Sequence, residues 1–239
     1  MPSIERVLVK ISGEAMTDGR SSGFSVDRIS KICLDIKAVL DAGIRVSLVV
    51  GGGNIIRGRD WCDREIVKLE TADAMGMLST AINGIILRDV LTHHGIASEI
   101  VSNLNLPFDI SHANSFNISK MMAQNKVIIF VGGTGLPYFS TDTVAVIAAS
   151  MAGCDILMKA TQVDGIYSDD PKIDSKAVHI PEITYQDAID LRLKFMDQAA
   201  LVMASQRNIP IYVFSLGETN CFMRAIKREI KISIVKELN

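Results

Sequence analysis

The stretch Arg45-Val-Ser-Leu-Val-Val50, followed at once by Gly51-Gly-Gly-Asn54, decides how the rest of this sequence is interpreted. A short run rich in β-branched residues predicts a buried parallel strand. Three glycines at its exit leave backbone N–H groups accessible, and such groups cradle a phosphate, aided by the dipole of a following helix. A tight strand-to-helix turn without a ligand is an equally good interpretation of the glycines taken alone.

Length and composition narrow the class of protein. The 239 residues suit one large α/β domain or two small ones, and the 48% of apolar residues predict a large aliphatic core. A net charge of −2 indicates neither a basic surface for nucleic-acid binding nor a polybasic patch for membrane binding. Four scattered cysteines favour neither a disulfide framework nor a zinc site. No signal-peptide core or bilayer-length apolar run is evident, so we expect a soluble cytoplasmic protein.

A lysine interrupts the first predicted strand, Arg6-Val-Leu-Val-Lys10-Ile11. Burying an ammonium group is costly unless an anion meets it. Lys10 therefore either points to solvent from an edge strand or faces an anion, and its spacing leaves both open. A helix predicted from Ser25 or Asp27 to Asp41 completes a β-α-β unit with the triple-glycine strand, which implies parallel strands.

A second buried strand, Val127-Ile-Ile-Phe-Val131, also ends on glycines, Gly132-Gly-Thr-Gly135. Because ligands gather at the carboxyl ends of strands in an open parallel sheet, two such turns predict one shared site. Hydroxyl and carboxylate groups follow at Ser140, Thr141 and Asp142, where they either bind a ligand or cap the next helix.

The remaining sequence alternates strand and helix patterns. A long helix is predicted from about Thr71 to His94, with Asp73 either complementing the helix dipole or binding ligand hydroxyls. Val163-Asp-Gly-Ile-Tyr167 is typical of a hairpin turn. Residues 103–120, rich in Asn and Ser, are interpreted as a variable segment in which His112 lies at the surface and is not a ligand. Further strands are predicted at 96–101, 155–161, 209–214 and 232–235, and helices at 143–153, 185–193, 197–207 and 219–228.

These groups suit phosphoryl transfer, which needs aligned phosphates, positive charge and a divalent cation more than covalent catalysis. The GxxxxGK[ST] motif is absent, which excludes a P-loop kinase. Gly51-Gly-Gly-Asn-Ile-Ile56 lacks the third glycine of a dinucleotide-binding fingerprint. Spacing alone therefore predicts a generic phosphotransferase on one α/β domain, with about eight strands in its sheet.

Several blocks together resemble the bacterial UMP kinases (uridylate kinases) of the amino acid kinase superfamily, in family order over essentially the whole chain. The block Ala72-Asp-Ala-Met-Gly-Met77 separates UMP kinases from glutamate, aspartate and carbamate kinases. The other blocks are Lys10-Ile-Ser-Gly-Glu-Ala15, Gly51-Gly-Gly-Asn-Ile-Ile-Arg57-Gly58, Gly133-Thr-Gly-Leu-Pro-Tyr-Phe-Ser-Thr-Asp142, Lys159-Ala-Thr-Gln-Val-Asp-Gly-Ile-Tyr-Ser-Asp-Asp-Pro171 and Met196-Asp197.

The resemblance implies a three-layer αβα sandwich with a mainly parallel central sheet. It implies a single domain, 1–239, in which an acceptor part at 1–155 and an ATP part at 156–239 share that sheet. The implied reaction converts ATP and UMP to ADP and UDP in pyrimidine nucleotide biosynthesis, with Mg²⁺ carried by the ATP phosphates rather than by a protein metal site. A homohexamer, activated by GTP and inhibited by UTP, is also implied.

Roles follow from the resemblance residue by residue. Lys10, Asp142 and Arg57 are implied to be catalytic, Lys10 by offsetting charge on the transferring phosphoryl group and Asp142 by organising that lysine and magnesium. The ATP side comprises Lys10, Ile11, Ser12, Gly13, Gly53, Arg57, Thr161, Tyr167 and Asp170. The UMP side comprises Gly52, Asp73, Thr134, Gly135, Leu136, Pro137, Tyr138, Phe139, Ser140 and Thr141.

Two departures from the family pattern lie outside these groups. Relatives usually carry an arginine four residues before the helix aspartate, where this chain has Leu69. The loop Gly23-Phe-Ser-Val-Asp27 replaces Gly-Phe-Gly-(Ile)-Asp, in a region that contributes to the GTP site of relatives.

Two rival functions were weighed against UMP kinase. One is a non-catalytic nucleotide-binding protein, against which Lys10 and Asp73 argue. The other is a kinase with a carboxylate or carbamate acceptor, against which the Met-Gly-Met helix argues.

Overall fold

A computed structural model describes residues 3–19, 22–56, 67–217 and 219–237. The strands are β1 Arg6–Ile11, β2 Arg45–Val50, β3 Ser98–Ser102, β4 Ser111–His112, β5 Val127–Val131, β6 Ile156–Thr161, β7 Ile166–Tyr167, β8 His179–Ile180, β9 Glu182–Ile183, β10 Ile211–Ser215 and β11 Ile232–Val235. The helices are α1 Val26–Asp41, α2 Leu69–His93, α3 Ser115–Ala123, α4 Thr141–Ala152, α5 Tyr185–Asp190, α6 Gln198–Arg207 and α7 Cys221–Ile226, and a 3-10 helix spans Gly13–Met16.

Nine of the described strands form one sheet in the order β4-β3-β5-β2-β1-β6-β10-β11-β9. Neighbouring strands are parallel except β10 and β11, which run antiparallel. Every residue of β5 is buried, which explains why its sequence is a continuous apolar run without polar alternation. The predicted α/β fold with a mainly parallel sheet is confirmed, with nine strands where about eight were expected.

Helices cover both faces of this sheet. Helices α1, α2 and α7 pack on one face, and α3, α4, α5 and α6 pack on the other. Successive side chains of a strand enter opposite layers. In β1, Val9 belongs to the α1 side and Leu8 to the α4 side, so Lys10 also projects towards α4. In β6, Leu157 is on the α4 side, which places Lys159 on that same face.

One local prediction is wrong. The segment 163–167 is not a hairpin turn, because Ile166–Tyr167 pairs antiparallel with His179–Ile180 across the long connection 168–178. The segment 103–120 contains β4 and the start of α3, whose first turn is capped by Asn114 accepting from the N–H of Asn117 at 2.9 Å. Asn114 and Ser115 therefore begin a helix within this variable segment. His112 is exposed, as predicted.

Helix α2 is the long helix predicted from the sequence. It also tests the expectation that no apolar stretch is long enough to span a bilayer. Its 25 residues are long and apolar enough to cross a bilayer by length and composition, with a mean hydropathy of 1.3 in the most apolar window. The expectation that no stretch reaches that length is wrong for this helix. A core helix passes the same test, and α2 packs against β3 and β5 with Leu87 and Leu91 fully buried.

Candidate active site

Four adjacent parallel strands, β5, β2, β1 and β6, end at one edge of the sheet. The two glycine turns lie side by side there because β2 pairs directly with β5. Gly51–Gly53 follows β2, and Gly132–Gly135 follows β5. Lys10 and Lys159 lie near the ends of β1 and β6. The two glycine turns, which were predicted to share one site, therefore follow neighbouring strands.

Lys10 and Lys159 are register partners on β1 and β6, and one carboxylate lies between their side chains. Lys10 Nζ lies 2.9 Å from Asp142 Oδ1, and Lys159 Nζ donates a hydrogen bond of 2.5 Å to Asp142 Oδ2. The side chains of Lys10, Asp142 and Lys159 are only 12%, 13% and 10% exposed. Because β1 is paired on both sides, the interpretation of Lys10 as a solvent-facing edge lysine is wrong.

The electrostatics of this trio follow from burial and proximity. Burial would raise the pKa of Asp142, but the ammonium groups of Lys159 and Lys10 outweigh it and hold that pKa below its ordinary value. Burial lowers the pKa of Lys159, and Lys10 adds to the lowering, while Asp142 opposes it. Within the trio itself, two ammonium groups face one carboxylate, and this excess of positive charge suits an anionic ligand.

Helix α4 places Asp142 next to Lys10 and Lys159. Ser140 is the N-cap of α4, and its hydroxyl accepts a hydrogen bond of 3.0 Å from the N–H of Asp142. The capping interpretation of Ser140 is therefore confirmed, whereas Asp142 lies in the first helical turn and has both oxygens engaged by lysines. An aspartate at this position also complements the helix dipole.

The glycines of the first turn are required by close packing. A Cβ on Gly52 would lie 2.7 Å from the Cβ of Ser79 and 2.8 Å from the carbonyl oxygen of Gly76, both on α2. A Cβ on Gly53 would meet the Glu14 carboxylate at 2.5 Å. A Cβ on Gly13 would lie 2.7 Å from the backbone nitrogen of Gly53. The turn thus touches α2 through Gly52 and the exit of β1 through Gly53.

A buried pair of amide side chains fixes this turn to α2. Asn83 donates to Asn54 Oδ1 at 2.7 Å and to the carbonyl of Gly51 at 2.6 Å. Asn54 donates to Asn83 Oδ1 at 3.1 Å and to the carbonyl of Gly23 at 3.1 Å. Both asparagines are fully buried, and such a network rigidifies the backbone that it joins. The sequence interpretation did not use either amide.

The loop after β5 is tied to the start of α2. The N–H of Tyr138 donates to Asp73 Oδ2 at 2.7 Å, and the Tyr138 hydroxyl donates to Glu70 Oε1 at 2.5 Å. Tyr138 has φ 73, a left-handed conformation that a non-glycine residue rarely adopts. Thr134 fixes the loop further, since its hydroxyl donates to the Leu136 carbonyl at 3.0 Å. Asp73 and the loop assigned to UMP are therefore in direct contact.

A cluster of polar groups surrounds Tyr167 beyond the end of β6. The Tyr167 hydroxyl donates to Asp164 Oδ1 at 2.6 Å and accepts from Lys231 Nζ at 2.8 Å. Lys231 Nζ also lies 5.0 Å from the centroid of the Tyr167 ring, and His179 contacts that ring edge-on at 5.2 Å. Thr161 holds its own turn by donating to the Val163 carbonyl at 2.6 Å.

A sequence profile of the Amino acid kinase family matches residues 5–215. The chain belongs to the amino acid kinase family. Uridylate kinases of Bartonella bacilliformis and Rickettsia typhi are 40% and 39% identical to it over 233 and 235 residues, which is 98% of this chain in each case and 97% and 95% of the relatives. The UMP kinase from Ureaplasma parvum superposes with a TM-score of 0.92 at 33% identity over 98% of this chain and 100% of that one. The UMP kinase from Bacillus anthracis gives 0.91 at 31% identity over 98% and 96%.

Sequence reasoning about this amino acid kinase missed Lys159 as a site residue. The signal was present, because Ile156-Leu-Met-Lys159-Ala is a buried apolar strand interrupted by a lysine, the same pattern that singled out Lys10. The spacing of residues along the chain could not show the strand register that places the two lysines opposite each other. Arg57, expected at the ATP side and in catalysis, lies outside the described residues.

Among the residues that this structure describes, no group of three or more His, Cys, Asp or Glu could hold a metal ion. Asp142, the carboxylate nearest the strand ends, has both oxygens paired with lysines.

Proposed function

We infer that this protein is a UMP kinase, which transfers the γ-phosphoryl group of ATP to UMP and releases ADP and UDP. The observation that carries this function is the contact of Lys10 and Lys159 with Asp142 beside two glycine turns. Full-length similarity to uridylate kinases supports the acceptor. In the reaction, the bond from the γ-phosphorus to the bridging oxygen of ADP breaks, and a phosphate oxygen of UMP forms the new bond.

The two ammonium groups have the main chemical task. Negative charge on the transferring phosphoryl group and its bridging oxygen is stabilised by preorganised cations in a water-poor site. Asp142 favours the charged form of Lys159 and holds the side-chain nitrogens of Lys10 and Lys159 at 2.9 and 2.5 Å from its oxygens, so the two lysines need no reorganisation when substrates arrive. No general base is required, because the attacking oxygen of UMP is already ionised.

We assign the ATP side of the site to the exits of β1 and β6. Backbone N–H groups near Ser12, Gly13 and Gly53 would hold the ATP phosphates, and Tyr167 would pack near the base. Mg²⁺, when bound on those phosphates, supplies further charge neutralisation. The residues proposed to bind ATP are Lys10, Ile11, Ser12, Gly13, Gly53, Arg57, Thr161, Tyr167 and Asp170.

We assign the UMP side to the space between α2 and the loop after β5. Asp73 would bind the uridine ribose hydroxyls, and its contact with Tyr138 supports a role next to the 134–141 loop. Gly52, which packs on α2, supports the same side. The residues proposed to bind UMP are Gly52, Asp73, Thr134, Gly135, Leu136, Pro137, Tyr138, Phe139, Ser140 and Thr141.

The same reasoning extends to organisation and biological setting. Residues 1–155 supply β4-β3-β5-β2-β1 and residues 156–239 supply β6-β10-β11-β9, which supports an acceptor part and an ATP part sharing one sheet.

We propose a cytoplasmic homohexamer in pyrimidine nucleotide biosynthesis, with GTP as activator and UTP as inhibitor. Leu78 and Ile82, on one face of α2, are 50% and 45% exposed, which supports burial of that face between copies.

The acceptor panel is the experiment that tests this function. Purified protein with ATP and Mg²⁺ is supplied with UMP, CMP or glutamate, with and without GTP, and ADP release is measured by a coupled assay. We expect UMP to be the preferred acceptor by a wide margin. Phosphorylation of glutamate or CMP in preference to UMP would contradict the assignment, and ATP binding without transfer to any acceptor would favour a non-catalytic nucleotide-binding protein.

A separate measurement tests the oligomer. Sedimentation of the wild-type chain should give a mass near that of six copies, and Leu78→Asp with Ile82→Asp should reduce it, because a charge on a buried apolar face is costly. Val202→Asp is the matched control, since Val202 is 43% exposed on α6. A monomeric wild-type chain would contradict the proposal.

A further inference from the structure

One carboxylate outside the lysine trio joins the N-termini of two helices. Asp197 is the N-cap of α6, and its Oδ1 accepts from the N–H of Ala200 at 2.7 Å. The same side chain accepts from the hydroxyl of Thr143 at 3.2 Å and from the hydroxyl of Ser140. Both hydroxyls belong to the start of α4, so Asp197 caps one helix and binds the first turn of another.

The two hydroxyls lie on either side of Asp142 in the sequence. Ser140 is the N-cap of α4 and accepts from the N–H of Asp142, so a single hydroxyl connects Asp197 to the backbone of Asp142. Thr143 follows Asp142 directly and is 1% exposed, which removes water as a competing partner for its hydroxyl. The first turn of α4 is therefore fixed to α6 at Ser140, two residues before Asp142, and at Thr143, the residue after it.

We propose that Asp197 is a positioning residue for phosphoryl transfer, which holds Asp142 where it pairs with Lys10 and Lys159 at once. Asp142 must be placed accurately, because its two oxygens form ion pairs of 2.9 and 2.5 Å with lysines on two different strands. A misplacement of about 1 Å in a catalytic group can lower turnover by roughly 100-fold. This inference rests on the proposed function of the lysine trio.

Electrostatics supports the same role. The negative charge of Asp197 acts to raise the pKa of Lys159, opposing the larger lowering by burial. Asp197 thus favours the charged form of the lysine as well as the position of its partner. Ser140 also ends the loop proposed to bind UMP, so the Ser140–Asp197 hydrogen bond connects the acceptor loop to the lysine trio through one side chain.

Variants that each remove one helix N-cap can separate a role in positioning Asp142 from a role in the stability of the fold. Asp197→Ala removes the α6 cap and both hydroxyl contacts, whereas Asp197→Asn keeps an acceptor for Ala200, and the Ser140 and Thr143 hydroxyls can reorient towards its amide. Asn114→Ala is the control, because Asn114 caps α3 by accepting from Asn117 at 2.9 Å and contacts neither the lysines nor Asp142. Asp142→Asn tests the proposed function itself. Steady-state kcat, KM for ATP and melting temperature are measured for these four variants and for Thr143→Val.

We expect Asp197→Ala to lower kcat by about 10- to 100-fold with KM for ATP within about twofold. Asp197→Asn should restore kcat to within about fivefold of wild type, and Asn114→Ala should lower the melting temperature without lowering kcat. Thr143→Val, which removes one contact isosterically, should lower kcat by a smaller factor. A wild-type kcat for Asp197→Ala, or an equal loss in Asn114→Ala, would overturn the positioning role. A wild-type kcat for Asp142→Asn would instead overturn the proposed function of the trio.

Discussion

Lys10 and Lys159 face each other across two neighbouring parallel strands and contact the two oxygens of a single carboxylate, that of Asp142. Like charges directly opposite each other on adjacent strands destabilise a sheet. One aspartate compensates one of the two ammonium groups, and the remaining charge favours a bound anion. The arrangement therefore places a preorganised positive charge at the strand ends, beside both glycine turns, where the transferring phosphoryl group is proposed to bind.

The first prediction concerns the pH dependence of turnover. Because burial holds the pKa of Lys159 below its ordinary value, the ammonium group is lost at a lower pH than in an exposed lysine. We expect kcat to fall as pH rises through that lowered pKa. Asp142 opposes the lowering, so Asp142→Asn should move any residual alkaline limb to still lower pH. The measurement is the pH–rate profile of kcat at saturating ATP and UMP.

The free energy of unfolding should depend on pH in the opposite direction from kcat. Between the folded and the unfolded pKa of Lys159, the unfolded chain binds the additional proton, so the contribution of this group to the free energy of unfolding rises with pH. Lys159→Met serves as the control for both measurements, since it removes the titrating group. An alkaline limb that is unchanged in Lys159→Met would contradict the assignment of the limb to this lysine.

The second prediction separates glycines required by packing from those that are not. Gly52→Ala should lower the free energy of unfolding by about 1–3 kcal/mol, because its Cβ would overlap Ser79 and the Gly76 carbonyl. Gly76→Ala is the matched control on the other side of the same contact. A Cβ there meets nothing within 4 Å, and alanine in a helix should gain about 0.5–1 kcal/mol. Urea denaturation measures both, and equal effects would contradict the packing account.

These contacts show what the sequence could and could not predict. Buried strands such as Val127–Val131 and the long helix α2 were predictable, because apolar runs and helical spacing are local signals. Lys10 was singled out because a charge in an apolar strand needs a partner. The pairing of Lys10 with Lys159 was not predictable, since it depends on the register between strands distant in sequence. The same holds for Asn54 and Asn83, whose partners are set by how α2 docks on the glycine turn.

The third prediction concerns the acceptor side. Asp73→Ala should raise KM for UMP about tenfold or more with a smaller change in KM for ATP, because it removes a carboxylate proposed to bind ribose hydroxyls and the partner of the Tyr138 N–H. Glu70→Gln is the control, since it retains an acceptor for the Tyr138 hydroxyl and leaves Asp73 in place. A change confined to KM for ATP would show that the acceptor side is assigned wrongly.

The fourth prediction concerns the ATP side. Lys231→Met should raise KM for ATP by roughly three- to tenfold, because Tyr167 loses a hydrogen bond and a cation–π contact worth about 1–2 kcal/mol together. KM for UMP should stay near wild type. Lys236→Met is the matched control, because Lys236 pairs with Glu182 and not with Tyr167. Equal effects of the two substitutions would argue against a role for Tyr167 in binding ATP.

The turnover number of Lys10→Ala in UDP formation tests the central claim most directly. If the lysine pair stabilises charge on the transferring phosphoryl group, kcat should fall by roughly 100-fold or more, and KM for UMP should change much less. Lys159→Ala should show the same division between kcat and KM. A wild-type turnover number in Lys10→Ala would contradict the account and remove this lysine from the mechanism.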